Sequence, residues 1–172
     1  VERARTTFHV DPLSAKDFAD ARPRGIIGMI PGEITTKDAG YAAKIDVEKD
    51  ILKIAIIERH KRSHHIGIGY LQGYGLKGAV ATSISHDSHN IIVVGTSEED
   101  MAAAANRVVD LNGGIVVWDD GKCVSQVPLT IAGIMSEEPL ETVNDKLEEA
   151  KATAHDMGVV RELDPFMTLS FM

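Results

Sequence analysis

Gly67 to Gly95 reads GIGYLQGYGLKGAVATSISHDSHNIIVVG, and three strand signals follow one another within it. Ile66 to Leu71 alternates Ile with Gly before Tyr-Leu, a strand with one thin face; Ala79 to Ile84 and the apolar run Ile91 to Val94 complete the series. Five glycines fall between Gly67 and Gly78. Between the last two strand signals stand Ser85, His86, Asp87, Ser88, His89 and Asn90. Six small polar and ionisable side chains in a row make a poor core. They suit a loop at the mouth of a sheet, where a rigid scaffold carries chemistry.

Working outward, Gly25 to Ile30 is a short apolar run closed by Pro31-Gly32, and Ile51 to Ile57 (ILKIAII) is a stronger strand signal. Downstream, Ser97 is placed to cap a helix. Glu98, Glu99 and Asp100 favour the positive end of its dipole, and Met101, Ala104, Val108 and Leu111 recur at helical spacing until Gly113-Gly114. Ile115 to Trp118 and Cys123 to Val127 flank Asp119-Asp120-Gly121-Lys122, a hairpin turn. A second helix is expected from about Pro139 to Met157, with Leu140, Val143, Leu147, Ala150 and Ala154 on one stripe and Gly158 beyond its end. The expected fold class is α/β (α+β): residues 1–172 as a single domain, a multi-stranded mixed sheet carrying two main helices, both on one face.

The 172 residues carry a net charge of -8, which argues against a nucleic-acid partner because phosphate binding needs a basic face. No stretch approaches the roughly 20 apolar residues of a membrane span, so no membrane partner is expected. The single cysteine, Cys123, excludes an internal disulfide and suits a reducing, cytoplasmic location. It lies in a hairpin strand without a neighbouring histidine and reads as a buried, inert thiol. The start Val1-Glu2-Arg3-Ala4 lacks a methionine, which leads us to expect a piece of a longer polypeptide.

Three stretches are candidates for chemistry. In Ser85–Asn90, His86 and His89 stand three apart, and Asp87 is placed to hold a histidine tautomer. The plain reading is a turn whose Asp, Ser and Asn side chains serve local backbone donors. Glu58, Arg59, His60, His64 and His65 follow a strand end, as a site loop should, but also read as a charged, solvated loop. Neither His-x-His nor His-Glu-x-x-His occurs, so no metal ligands are expected from this chain alone. The glycine-rich run lacks the Lys-Ser/Thr ending of a phosphate loop and is not followed by a helix. Glycines in a strand more often permit a close backbone approach.

The pieces ILKIAIIERH, IGIGYLQGYGLKGAVATSISHDSHNIIVVGTSEEDMAAAANR, GGIVVWDDGK, PLTIAGIMSEEP and DPFMTLSFM together resemble the C-terminal domain of bacterial and archaeal adenine deaminases, in the amidohydrolase superfamily. Lys61-Arg62-Ser63-His64-His65 is more basic and richer in histidine than that pattern. The resemblance implies hydrolytic deamination of adenine to hypoxanthine and ammonia, part of purine catabolism. It also implies a divalent metal (manganese, iron or zinc) that activates water and is held by a preceding TIM-like barrel. On this reading His86, Asp87 and His89 play supporting catalytic roles. Ser85, Ser88, Asn90, Glu58 and His60 belong to the substrate-binding surface. The preceding barrel is the partner domain, and a homo-oligomer is left open. The competing reading is a non-catalytic module that binds a purine-like ligand or mediates assembly.

Overall fold

The run Ile51–Ile57 is apolar at almost every position because both of its faces are covered, and that places it in the middle of the molecule. The computed structural model describes residues 2–172. In chain order its regular elements are β1 (Arg24–Met29), β2 (Thr36–Ala42), β3 (Ile51–Ile57), β4 (Ile66–Gln72), β5 (Ala79–Thr82) and β6 (Ile91–Gly95). Then come α1 (Glu98–Asp110), β7 (Gly114–Asp119), β8 (Lys122–Pro128) and α2 (Leu140–Asp156). The eight strands form one sheet in the order β2-β1-β4-β3-β6-β5-β7-β8. Neighbours are antiparallel except β1 and β4, which run parallel, so the sheet is mixed.

Side chains alternate across this sheet with period two. Leu52, Ile54, Val80, Val94 and Val117 point to one face, where Ala150 and Ala154 of α2 and the C-terminal residues Phe166 and Leu169 cover them. Ala55, Ile57, Ala81, Val93 and Val116 point to the other, under Met101, Ala104, Ala105 and Val108 of α1. The two helices therefore lie on opposite faces, not together on one as the sequence led us to expect. The signal was present: all five residues of β6 and all four of β5 are buried, which requires cover on both sides. Among the described residues, no helix is long and apolar enough to cross a membrane.

Local chemistry accounts for most boundaries. Ser97 caps α1 by accepting the Asp100 N–H at 3.1 Å. The strand expected to reach Ile84 stops at Thr82, because Ser83 turns its N–H and hydroxyl to the carbonyls of Gly114 and Gly133. In α2, Ala150 and Ala154 are buried as expected, but Leu140, the first residue of the helix, is 80% exposed. The glycine-rich turn after β4 is tied down by Asp50, whose carboxylate accepts the N–H groups of Gly73 and Gly75 at 2.9 Å each. Gly75 and Gly158 (φ +82° and +107°) approach so closely that a Cβ on either would enter the other's carbonyl. The backbone beside the end of α2 is thus why position 75 needs glycine.

Both chain ends are structural. Leu13 and Phe18 fill the α1 face beside β3 and β4, and Asn106 of α1 clamps the Leu13 backbone through bonds of 2.9 and 2.8 Å. The C-terminal residues 159–172 cover the centre of the α2 face, where Tyr74 donates its hydroxyl to the Pro165 carbonyl at 2.7 Å. Beyond that cover, Gly67 has nothing within 4 Å of where a Cβ would stand, and β4 shows bare backbone there.

Candidate functional site

The polar segment Ser85–Asn90 leaves β5 and enters β6, so its two ends are fixed by the most deeply buried strands of the sheet. Ser85 is buried, whereas His86, Asp87 and Ser88 are exposed and His89 and Asn90 are half-buried. The backbone of the loop is held at several points. The His86 N–H donates to the Ser170 carbonyl at 2.7 Å, and the His89 N–H donates to the Ser85 carbonyl at 2.6 Å. His89 itself sits in the left-handed region, φ +49°.

The largest anchor is a residue that sequence reasoning placed in a solvated loop. Arg59 is 2% exposed. Its Nε donates to the His89 carbonyl, Nη1 to the Thr7 carbonyl and hydroxyl at 3.2 and 2.9 Å, and Nη2 to the Ala132 carbonyl at 2.9 Å. The guanidinium lies 4.2 Å from the centroid of the Phe8 ring. Burial pushes its pKa below the ordinary arginine value, yet the group remains a cation. One side chain thus ties together the N-terminal segment, the turn at Ala132 and the candidate loop. A signal for it existed: Lys53, Ala55, Ile57 and Arg59 continue one period-two line, and the bond from Glu58 N–H to the His65 carbonyl prolongs the ladder past Ile57.

The side chains of the loop are far less engaged than its backbone. His86 stacks on Phe171, with ring centroids 5.2 Å apart. Its Nδ1 lies 3.5 Å from the Asp87 carboxylate, beyond a good hydrogen bond, and the Asp87 side chain is 94% exposed. Ser85 and Ser88 hydroxyls are 3.4 Å apart. His89 Nδ1 and Asn90 Oδ1 are buried and have no hydrogen-bond partner among the described residues. His86 and His89 have different neighbours, one the C-terminal Phe171 and the other Arg59.

The second stretch divides in two. His60 joins the candidate loop, its Nε2 lying 2.8 Å from the Ser88 carbonyl. Glu58 turns to its own loop: it accepts from the Ser63 hydroxyl at 2.7 Å and from the N–H groups of His60 and Lys61 at 2.6 and 3.0 Å. The Ser63 hydroxyl, with these amides, holds its pKa down to about 2. Glu58 thus organises the loop that presents His60. His64 pairs with Asp17 at 3.0 Å, and His65 is exposed, with its carbonyl in the ladder to Glu58. Cys123 is half-buried with its thiol 3.4 Å from the Ser125 carbonyl, and burial raises its pKa. Among the described residues, no three His, Cys, Asp or Glu side chains come together to hold a metal.

Beside Phe171, between α2 and the C-terminal residues, lies an apolar cavity of about 340 Å³ lined among others by Ile84, Ile134, Val143, Leu147 and Met167. Candidate loop and cavity share the Ser170–Phe171 edge.

Comparison with known proteins agrees with the quoted motifs. The model of the adenine deaminase C-terminal domain matches residues 31–172. An adenine deaminase of Brucella anthropi is 45% identical over 98% of this chain and 32% of its own length. That of Brucella melitensis is 42% identical over 99% of this chain and 31% of its own, and adenine deaminase 1 of Rhizobium johnstonii is 44% identical over 94% and 30%. The chain spans about a third of the length of these relatives. Buried strands, polar loop and C-terminal cover are thus the structure of a recognised module, and the chain belongs to the adenine deaminase C-terminal domain family.

Proposed function

We propose that this domain completes the active site of a metal-dependent adenine deaminase, with Ser85–Asn90 as a roof over a preceding barrel in the cytoplasm. The observation that carries the reading is the split within the loop. Its backbone is fixed by Arg59, Ser170 and two buried strands, while the side chains of His86, Asp87 and Ser88 face outward and two polar atoms of His89 and Asn90 lack partners. Fixed backbone with free side chains is the arrangement a binding surface needs, since little ordering remains to be done when substrate arrives.

The reaction forms a bond from water oxygen to C6 of adenine, breaks the C6–N bond, and moves protons from water to the departing ammonia. The metal of such enzymes activates the water when bound. The described residues do not fit a metal, so this domain's part is to bind, orient and exclude water. Ser88, Asn90 and His60 supply donors and acceptors for the edge of a purine. His86, at the exposed end of the loop, is suited to hold or move a proton. Alanine at His86, Asp87 and His89, one at a time in the full-length enzyme, tests this through steady-state kinetics with metal content measured alongside. A fall of tenfold or more in kcat/KM, about 1.4 kcal/mol of transition-state stabilisation, is expected for at least one variant with metal retained. Unchanged kinetics in all three would reduce the segment to an ordinary turn.

A further inference from the structure

We propose that the cavity between α2 and the C-terminal residues, with its exposed apolar rim, is the surface on which the preceding domain of the full-length enzyme docks. The inference rests on the functional reading only in taking that domain to exist as a neighbour. Among the described residues seven large apolar side chains are exposed, and two of them, Met167 (59%) and Phe171 (46%), line this cavity. Met135 (53%) is adjacent to Ile134 of the lining, and Leu140 (80%) stands one helical turn before Val143. Two of the seven line the cavity and two more stand one and three residues from lining residues, and apolar side chains gathered at a domain surface mark a contact surface.

Three further observations select the occupant. First, Ala132 donates its N–H to the Ala4 carbonyl at 2.6 Å, and Arg5 pairs with Glu137, so the earliest residues lie against the segment that carries Ile134 and Met135. Chain preceding these residues is delivered to the rim of the patch. The relatives have about two-thirds of their length outside the matched stretch, and the family description puts that stretch C-terminal. Second, three charge pairs at the rim are already made: Lys151 with Asp164 at 3.1 Å, Lys146 with Glu138 at 2.6 Å, and Arg5 with Glu137. The lining itself is mainly apolar, so the matching surface is apolar. Third, the patch is continuous with the candidate loop through the His86–Phe171 stack, so a domain seated on it also faces His86.

Met135 and Met167 report on this surface directly, because exposed thioethers are readily oxidised. Hydroxyl-radical footprinting of the full-length protein and of the 172-residue chain compares their labelling rates. Tyr41, 77% exposed on β2 at the opposite edge of the sheet, serves as the control. The expected result is at least tenfold slower labelling of Met135 and Met167 in the full-length protein, with Tyr41 unchanged. Met167→Glu with Leu140→Glu should relieve the protection of Met135. Equal rates in the two proteins, or protection at Tyr41 in place of the methionines, would overturn the proposal. So would protection that appears in the isolated chain as its concentration rises, which would give the patch to a second copy. The labelling needs no turnover. A protected patch on an enzyme that does not deaminate adenine would sink the functional reading alone, and an active enzyme with a freely labelled patch would sink this one alone.

Discussion

Lys53 and Arg59 lie on the same line of β3 and its extension, both 2% exposed, and the molecule accommodates their charge in different ways. Lys53 pairs with Glu98 in the first turn of α1, donates to the Phe18 carbonyl at 2.9 Å, and has Tyr70 beneath it at 5.9 Å. Arg59 has no carboxylate among its partners. Its acceptors are a hydroxyl and three backbone carbonyls from separate segments. A lysine with one carboxylate is a point charge with its counter-charge, and the pair is exchangeable for apolar side chains of similar size. An arginine fanned out over carbonyls supplies geometry, and no apolar side chain reproduces that. The first ties a helix to the sheet; the second sets the shape of the candidate loop.

The sharpest way to break this contrast is Arg59→Met. It leaves the carbonyls of His89, Thr7 and Ala132 without donors, and a loss of about 3–5 kcal/mol in denaturant unfolding is expected. A loss below about 1 kcal/mol would show that the guanidinium merely fills space. Glu98→Gln alone strands Lys53, and since the Glu98 side chain is 30% exposed, about 1–3 kcal/mol is expected. Combining Lys53→Met with Glu98→Gln should bring stability back to within about 1 kcal/mol of wild type. A double variant as unstable as Arg59→Met would make the two cations equivalent after all.

The smallest effect concerns acid. Glu58 is held at about 2, first by the Ser63 hydroxyl and then by loop amides, below its value in the unfolded chain. A depressed carboxylate contributes stability that is full above the unfolded pKa and is lost as pH falls through the folded one. Glu58→Gln should therefore flatten the pH dependence of unfolding between about pH 4.5 and pH 2, its loss of stability being full at neutrality and gone below about pH 2; solvent screening of the surface carboxylate keeps that loss small. An unchanged slope in that window would remove Glu58 from the loop's supports.

Reading the residues alone went furthest where pattern and burial coincide. β3 has the expected ends, α1 begins at the expected cap, and the β7–β8 hairpin turns where Asp-Gly predicts. β2 escaped because Thr36–Ala42 (TKDAGYA) lies on an edge, largely exposed, and so carries no apolar alternation. The terminal segments escaped because Leu13, Phe18, Phe166 and Leu169 pack from loop, turns and single 3-10 turns of helix, too short for a period to read. The polar loop was legible as a place, since six polar residues before a buried strand announce a turn. Its anchor was not. Arg59 looked solvated because charge type overrides position in a sequence, whereas in the fold the strand's alternation carried it inward.

The N-terminal segment has a practical consequence for anyone who cuts this domain out of a longer gene. The family model begins at residue 31, yet the folded unit reaches back past Thr7, and the relatives too match nearly the whole chain. A piece started at residue 31 would lose β1, leaving β2 without its neighbour and β4 with an open edge. It would also lose Leu13 and Phe18 from the α1 face, the Thr7 acceptors of Arg59 and the Phe18 acceptor of Lys53. Such a fragment would expose a raw strand and two half-stripped cations at once, a recipe for inclusion bodies. The border that the family model draws and the border of the packed unit are some twenty-five residues apart, by the difference between 31 and 7.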